Sequence, residues 1–415
     1  MEIEIGRGKK ARRAYGFDDI AIVPSRRTRD PDDVDLTWKL GPYRFELPLL
    51  ASAMDGVVSP RPAGIIGKLG GLAVLNLEGV FTRYEDAEEQ LERIATLPKE
   101  QATREMQRIY EEPVKPELIR QRIEEIKAQG GVAAASLTPQ RVAAHYELCL
   151  EAGLDILVIQ GTVVSAEHVS MTSEPLNLKE FIRSVDIPVI VGGCASYHTG
   201  LHLMRTGAAG VLVGVGPGAA CTTRGVLGVG VPQATAIADV AGARSTHMLE
   251  TGEYVQVIAD GGMRTGGDVS KAIACGADAV MIGSPLARGH EAPGRGYHWG
   301  MATFHKSLPR GARVQTVQNG TLEEILLGPA HENDGTFNLF GGLRTSMATC
   351  GYQDLAEFNR AEVMIAPSLQ TEGKQLQTSQ GVGMGARGGA KSVSPESNGS
   401  NGSNGAGREP VGAGA

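Results

Sequence analysis

The chain has 415 residues, a length that suits about two or three domains or one large α/β barrel with additions. Its 40 lysine and arginine residues are outnumbered by 47 aspartate and glutamate residues, giving a net charge of −7, and no long basic run occurs, so the composition disfavours nucleic acid as a partner. No apolar stretch reaches the roughly 20 residues of a membrane span, and residues 1–13 lack the apolar centre of a secretion signal, so we expect a cytoplasmic protein that needs no membrane.

Eight short apolar runs follow one another between stretches of helical pattern. Continuous apolarity without alternation is typical of strands that are buried on both faces of a parallel sheet. Eight parallel strands with eight crossovers close into a (β/α)8 TIM barrel, which is the α/β fold we predict, and a doubly wound open sheet is the alternative. The runs are residues 48–53, 72–76, 132–136, 155–160, 188–191, 210–215, 254–260 and 279–283.

A long polar segment, residues 84–127, separates the second run from the third. It is rich in Glu, Arg, Gln and Leu, and prolines at 98, 113 and 116 interrupt its helical pattern. We therefore predict a two-helix insertion whose helices face solvent or a second subunit. Further along the chain, Gly207 and Gly276 each end a helical stretch directly before a run, a place where glycine adopts the left-handed conformation that stops a helix.

A glycine-rich loop, residues 213–225, follows the sixth run and carries Cys221. In a barrel the chemistry lies at the carboxyl ends of the strands, so this loop is a candidate active-site loop. Thr223 and Arg224 come just after the cysteine and offer a hydroxyl and a cation. These neighbours favour a nucleophilic thiol over an inert one.

The last two runs end in residues that suit a nucleotide. Asp260 ends the seventh run at a position where its carboxylate can bind a ribose diol, and the bare amides of Gly261 and Gly262 follow it. Gly283 and Ser284 end the eighth run. The loops after the seventh and eighth strands are the recurring phosphate-binding position of this fold, so we predict a phosphate site there.

Other reactive side chains receive ordinary structural interpretations. His298 and His305 have the chemistry of an acid or base but are interpreted as surface or loop residues. Trp299 either stacks on a base or packs in the core. The five cysteines are odd in number and lack metal-ligand spacing, which indicates reduced thiols, and three of them are assigned to the apolar core: Cys149, Cys275 and Cys350.

The end of the chain differs from the rest in composition. Residues 371–415 are rich in Gly, Ser and Asn, contain no aromatic residue, and repeat the triplet Ser-Asn-Gly three times. Such a segment cannot bury enough apolar surface to offset the entropy of ordering. We predict one catalytic domain over residues 1–370, followed by a disordered tail over residues 371–415.

Three segments carry a family resemblance. GPGAACTTR, IADGGMRTGGDVSKAIACGADAVMIGS and PLLASAMDGVVS resemble the core of the IMP dehydrogenase and GMP reductase family, in the family's order and spacing. The resemblance spans about residues 12–365 and is to a compact branch without the paired regulatory CBS domains. It implies a (β/α)8 barrel, a homotetramer, and redox chemistry at C2 of a purine nucleotide that is held by its 5′-phosphate.

The resemblance also implies a role for each matching residue. Cys221 would attack C2, and the Thr223 hydroxyl beside it would help to move protons. Asp260 would bind the ribose, the phosphate would lie against Gly262, Gly283 and Ser284, and the nucleotide would be flanked by Ser52 and Met54. The backbone carbonyls of Gly216, Gly218 and Cys221 match those that hold potassium in many dehydrogenases.

The direction of the reaction depends on whether the active site has residues that hydrolyse a covalent intermediate. Making XMP from IMP requires hydrolysis of a covalent intermediate, for which the dehydrogenases use an Arg-Tyr pair on a flap, and no Arg-Tyr dipeptide follows Tyr297. The sequence therefore favours a GMP reductase, in which ammonia leaves C2 of GMP and NADPH delivers hydride. An NAD-dependent IMP dehydrogenase and a catalytically silent nucleotide-binding regulator are the alternatives.

Several positions depart from the family pattern. Where reductases have a glutamate that acts as an acid, this chain has Gln315 or Thr316. Gln160 stands where relatives have an aspartate near the nicotinamide. Cys194 replaces the usual asparagine after the fifth strand and is interpreted as a packing thiol.

Overall fold

The computed structural model describes residues 2–171, 175–300, 313–366 and 373–384. Eight parallel strands, β6 to β13, form a closed barrel, which confirms the predicted fold and excludes the doubly wound alternative. Each of these strands lies within or overlaps one of the eight apolar runs. In chain order the strands are β1 (Glu2–Gly6), β2 (Lys9–Arg12), β3 (Ile20–Ile22), β4 (Trp38–Leu40), β5 (Tyr43–Phe45), β6 (Leu49–Ala51), β7 (Leu72–Asn76), β8 (Ala134–Leu137), β9 (Ile156–Gln160), β10 (Val189–Cys194), β11 (Gly210–Val213), β12 (Gln256–Asp260), β13 (Ala279–Ile282), β14 (Tyr297–Trp299), β15 (Arg313–Gln315) and β16 (Val363–Ile365).

The helices occupy the connections between the strands and the end of the chain. Gly207 and Gly276 have positive φ values of 93° and 112°, as expected where a helix stops before a strand. None of the helices among the described residues has the length and apolar character needed to span a membrane. The helices are α1 (Pro60–Lys68), α2 (Ala87–Thr96), α3 (Lys99–Ile109), α4 (Pro116–Lys127), α5 (Pro139–Glu151), α6 (Leu178–Ser184), α7 (Tyr197–Met204), α8 (Thr223–Leu227), α9 (Gln233–Thr251), α10 (Gly266–Ala274), α11 (Leu322–Leu326), α12 (Leu339–Thr349), α13 (Leu355–Phe358) and α14 (Lys374–Gln380).

The barrel closes between its first and last strands. In this pairing Val280 lies opposite Leu49 and Ile282 lies opposite Ala51, and all four side chains are buried. Burial of each large aliphatic side chain contributes about 1.5–3 kcal/mol. The closure also brings together the loops after β6 and β13, since the Ser52 amide donates to the Ile282 carbonyl over 2.9 Å.

The insertion between β7 and β8 differs from the prediction. It contains three helices rather than two, because α4 packs against α1 and α5 as the ordinary crossover helix before β8. The extra pair is α2 and α3, separated by Pro98. This pair does not simply face solvent: buried residues of both helices form a second apolar cluster with Trp299 and the start of the insertion, namely Val80, Phe81, Ala87, Leu91, Ile94, Met106 and Ile109.

The chain beyond the barrel adds smaller elements. Strand β16 pairs antiparallel with β3, and β14 pairs antiparallel with β15, so that His298 lies opposite Val314. Part of the predicted tail, residues 373–384, carries the short helix α14, and the Gly383 amide donates to Asn333. The remainder of that predicted tail lies outside the described residues.

Gly214 directly follows β11 at the mouth of the barrel and packs against the last residue of β12. A Cβ atom at this residue would lie 2.2 Å from the Asp260 carbonyl oxygen, so Gly214→Ala must push the two strand ends apart. We expect this substitution to lower the free energy of unfolding by about 3 kcal/mol. Denaturant unfolding measures the loss. Gly225→Ala is the control, because its Cβ would meet no described atom within 4 Å, and a comparable loss in both variants would contradict the prediction.

Candidate active site

A cavity of about 470 Å³ opens at the carboxyl ends of the barrel strands. It contains nearly all of the residues that the sequence singles out, although they come from four different strand ends and their loops. Thr223 lies just behind the wall, fully buried. The predicted residues that line the cavity are Ser52, Met54, Gly216, Gly218, Cys221, Asp260, Gly262, Gly283 and Ser284.

Cys221 lies on the wall of the cavity and is half-buried. Its amide donates to the Gly218 carbonyl over 3.1 Å, which closes a tight turn in the loop after β11. Its Sγ lies 3.2 Å from Oγ1 of Thr223, the first residue of α8. The thiol proton therefore has an acceptor at hand, which is an arrangement that a nucleophilic cysteine requires.

The other cysteines are chemically different from Cys221. Burial raises the pKa of the Cys149, Cys194 and Cys275 thiols to about 12, so these thiols stay protonated. The Cys194 Sγ lies against the Leu212 carbonyl at 3.5 Å, within the barrel core. Cys350 is also buried, at the end of α12, in keeping with its predicted packing role.

The loop that carries Cys221 also contains the carbonyls predicted to hold a monovalent cation. Gly216 and Gly218 both line the cavity, and the Gly218 carbonyl already accepts from Cys221. Arg224 lies against this loop: its Nε donates to the Val215 carbonyl over 3.3 Å, and its Nη2 donates to the Val231 carbonyl. The backbone carbonyl oxygens of this loop are suitable ligands for a potassium ion. However, the guanidinium of Arg224 already places a positive charge beside the loop.

Asp260 ends β12 with its carboxylate on the cavity. Burial raises the pKa of this carboxyl to about 7, although a hydrogen bond from Gln160 opposes the shift. Gln160 Nε2 lies 3.2 Å from Asp260 Oδ2, so the residue that stands in place of the family's aspartate orients the Asp260 carboxylate. A charged Asp260 can accept hydrogen bonds from both hydroxyls of a ribose.

We expect the raised pKa of Asp260 to make nucleoside binding depend on pH. Since the carboxylate is lost as the pH falls through about 7, the dissociation constant of inosine should rise by about 10-fold between about pH 8 and about pH 6. Calorimetric titration measures this, and inosine avoids titration of the phosphate itself. Asp260→Asn should bind more weakly with little pH dependence, and an equally flat profile for the unaltered protein would contradict the prediction.

The side of the cavity lined by Ser284 packs against a buried histidine. Ser284 Oγ lies 2.7 Å from Nε2 of His298, and Nδ1 of the same ring lies 2.9 Å from Oγ1 of Thr316. His298 is 1% exposed, so its interpretation as a surface or loop residue is wrong. Burial lowers the pKa of this imidazole to about 4, so the ring is neutral at physiological pH. His305 lies outside the described residues.

The opposite wall carries a second polar cluster, which comes partly from the insertion. The Tyr110 hydroxyl donates to Oδ2 of Asp55 and accepts from the Trp299 indole over 2.7 Å. Asp55 is completely buried, and burial raises the pKa of its carboxyl to about 6 against the hydrogen bonds from Tyr110 and the Val80 amide. The guanidinium of Arg83 lies 5.8 Å from the centre of the Tyr110 ring, and Arg83 and Tyr110 both line the cavity.

The same wall has an unsatisfied hydrogen-bond donor. Asn76, at the end of β7, is buried and lines the cavity, and its Nδ2 has no hydrogen-bond partner among the described residues. Ser136, Thr138 and Gln107 line the cavity beside it and add polar groups to this half.

These geometrical findings agree with comparisons with known proteins. The profile of the IMP dehydrogenase / GMP reductase domain matches residues 14–375. The chain belongs to the IMP dehydrogenase / GMP reductase family. Enzymes of this family are oxidoreductases that act on purine nucleotides with a nicotinamide cofactor.

Several known proteins align with most of this chain. An uncharacterized oxidoreductase of Mycolicibacterium smegmatis is 47% identical over 372 residues, which are 88% of this chain and 99% of that protein. The inosine-5′-monophosphate dehydrogenase of Methanocaldococcus jannaschii is 26% identical over 488 residues, covering 88% of this chain and 95% of that protein. The crystal structure of an IMP dehydrogenase/GMP reductase-like protein from Corynebacterium glutamicum superposes with a TM-score of 0.83 at 45% identity, covering 88% of this chain and 97% of that one.

The sequence predicts the side of the cavity that carries Cys221, Asp260 and Ser284, but not the side that carries Arg83 and Tyr110. Asp55 lies only three residues beyond Ser52, but a buried aspartate after a strand is indistinguishable from a turn residue in the sequence. Tyr110 lies in a segment whose polar composition indicates solvent exposure. The one available signal is Trp299, an amphipathic side chain that needs a hydrogen-bond partner when it is buried.

Proposed function

We propose that this protein is an IMP dehydrogenase, which oxidises C2 of IMP with NAD and hydrolyses the covalent intermediate to XMP. The proposal rests on one observation above all: Arg83 and Tyr110 line the same cavity as Cys221, and the Tyr110 hydroxyl is hydrogen-bonded to the buried carboxylate of Asp55. An arginine and a tyrosine are the residue types that hydrolysis uses in the dehydrogenases. Here the insertion supplies the tyrosine.

In the first part of the reaction, the chain's own residues bind and activate the nucleotide. The Ser284 hydroxyl and the amides near Gly262 and Gly283 hold the phosphate, and Asp260 accepts from the ribose hydroxyls. These anchors place the purine over the Cys221 loop. The Cys221 sulfur then adds to C2, and the thiol proton passes through the Thr223 hydroxyl, 3.2 Å away, to the purine nitrogen that receives the electron pair of the C2–N double bond.

The second part requires a cofactor and then water. A bound nicotinamide supplies a hydride acceptor, and the polar half around Asn76 is where this chain would hold it. Tyr110 takes a proton from the attacking water while it passes its own proton to Asp55. The positive charge of Arg83 favours the partial negative charge that develops on the Tyr110 oxygen during this transfer. Cleavage of the bond between C2 and sulfur then releases XMP and restores the thiol.

A GMP reductase is the second candidate. The sequence after Tyr297 has no Arg-Tyr dipeptide, and Glu78 and Glu111 line the cavity, where a carboxylic acid can protonate departing ammonia. Gln315 or Thr316 stands where the reductases have a glutamate, and neither of these positions supports this candidate. Gln315 is exposed, and the Thr316 hydroxyl lies against His298.

A spectrophotometric assay of both directions tests the proposal. IMP with NAD should produce reduced nicotinamide and XMP, and GMP with NADPH should give no ammonia. Oxidation of NADPH by GMP with release of ammonia would establish the reductase instead. Tight IMP binding without turnover in any of the four nucleotide and cofactor combinations would point to a silent regulator and overturn the proposal. Light scattering, and assays with and without potassium, test the predicted homotetramer and cation.

A further inference from the structure

We propose that His298 is a positioning residue for nucleotide selectivity: together with Thr316 it turns the Ser284 hydroxyl into a hydrogen-bond donor aimed at the phosphate. This inference rests on the proposed function, because it requires that the loop after β13 holds the phosphate of a purine nucleotide. It concerns residues that never touch the reacting C2 atom. Its consequence is a preference for the nucleotide over the nucleoside.

The three side chains form a continuous hydrogen-bonded chain that ends at the cavity. Ser284 lines the cavity, and its Oγ lies 2.7 Å from Nε2 of His298. The other ring nitrogen lies 2.9 Å from Thr316 Oγ1, at the start of the segment after β15. His298 itself is almost completely buried, between the β14–β15 pairing and the backbone of Gly56. The ring therefore contacts the ligand only through Ser284.

The donor and acceptor roles along this series of hydrogen bonds follow from the chemistry of Ser284, His298 and Thr316. Because burial lowers the pKa of His298 to about 4, the ring is neutral and carries a single N–H. A phosphate dianion offers only acceptors, so Ser284 must donate to it. The serine oxygen is then free to accept from Nε2–H, Nδ1 accepts from the Thr316 hydroxyl, and each of the three groups has one defined role.

Removing the imidazole of His298 breaks the hydrogen-bonded series but leaves Ser284 in place. In His298→Leu the Ser284 hydroxyl loses its donor and is free to rotate away from the phosphate. A glutamine is different, since its amide N–H can donate to Ser284 while its carbonyl accepts from Thr316. His298→Gln should therefore restore much of what His298→Leu loses, which would not occur if the ring merely filled space.

Calorimetric titration with IMP and with inosine tests the inference. We expect His298→Leu to reduce the preference for IMP over inosine by about 10- to 100-fold, which is the size of one hydrogen bond to a charged group. Inosine affinity itself should stay nearly unchanged. Ser284→Ala should show the same loss, and the double variant should lose no more than either single variant. Thr316→Val should lose less, and His298→Gln should recover most of the preference.

His247→Leu is the matched control. His247 is also a buried histidine, but it lies on α9 away from the cavity, so its replacement should leave the preference unchanged. Equal weakening of IMP and inosine by His298→Leu, or an unchanged preference, would overturn the inference. If His298→Leu does not fold, Ser284→Ala and Thr316→Val decide by the same criterion.

The pair GMP and guanosine is titrated in the same way, so that the result does not depend on the direction of the reaction. If the unaltered protein binds neither nucleotide better than its nucleoside, the phosphate anchor itself is absent. The proposed function then fails together with this inference. A phosphate preference that survives in His298→Leu overturns the inference alone.

Discussion

Replacing Cys221 by alanine is expected to lower kcat by at least about 1000-fold, because the covalent step loses its nucleophile. The dissociation constant of IMP should change by less than about 3-fold, since Ser284 and Asp260 supply the anchors. Stopped-flow absorbance at the nicotinamide band measures the first quantity, and calorimetry measures the second.

Cys275→Ala is the matched control for this experiment. Cys275 lies at the end of α10, burial raises the pKa of its thiol to about 12, and it does not line the cavity. Its replacement should leave kcat within about 2-fold of the original value. Intact-protein mass spectrometry adds a direct test, because a nucleotide adduct should form on the unaltered chain and be missing in Cys221→Ala. Turnover that persists in Cys221→Ala would refute covalent catalysis.

Replacing Tyr110 by phenylalanine is expected to separate oxidation from hydrolysis. Its hydroxyl is the group that would take the proton from water, so steady-state kcat should fall by about 100- to 1000-fold. The first turnover should still release a full burst of reduced nicotinamide, because oxidation at C2 does not use this residue. The nucleotide adduct on Cys221 should therefore accumulate, and mass spectrometry of the quenched reaction detects it.

In the proposed hydrolysis the final proton acceptor is Asp55, so the pH dependence of kcat provides a second test. Burial raises the pKa of Asp55 to about 6. The carboxylate is the active form, so kcat should fall as the pH drops below about 6, and Asp55→Asn should remove this limb along with most of the activity.

Tyr84→Phe is the control for Tyr110→Phe. Tyr84 belongs to the same segment, but its hydroxyl donates to the Ile109 carbonyl over 3.0 Å and the residue does not line the cavity. The Tyr84→Phe variant should therefore have the kcat of the unaltered protein. If Tyr110→Phe loses the burst as well, the hydroxyl is needed for binding or packing and not for hydrolysis. Unchanged turnover would exclude it from the mechanism.

The barrel and half of the site could be predicted because their signals are local. Each barrel strand is a short apolar run bounded by turn residues, so neighbouring letters suffice to locate it. Once the barrel is assumed, its closure places every strand end at one mouth. Cys221, Asp260 and Ser284 could therefore be assigned to one site although they are far apart in the sequence.

The other half could not be predicted, because its contacts are long-range and its residues are ordinary. Tyr110 is 55 positions from Asp55 and 189 positions from Trp299. The amphipathic pattern of α2 and α3 is the same whether their apolar faces pack on the barrel or on another subunit. His298 poses the same difficulty at shorter range, since its partners lie 14 and 18 residues away and only the β14–β15 pairing makes its burial evident.

The pairing of β6 with β13 joins residues from the two ends of the barrel sequence at one side of the cavity. Ser52 and Met54 follow the first barrel strand, whereas Gly283 and Ser284 follow the eighth, and a Cβ at Gly283 would lie 2.7 Å from the Met54 sulfur. In the proposed function, a growing chain on the ribosome therefore carries Cys221 well before Gly283 and Ser284, the residues that would hold the phosphate. Until β6 and β13 pair, the proposed phosphate site beside Cys221 is incomplete.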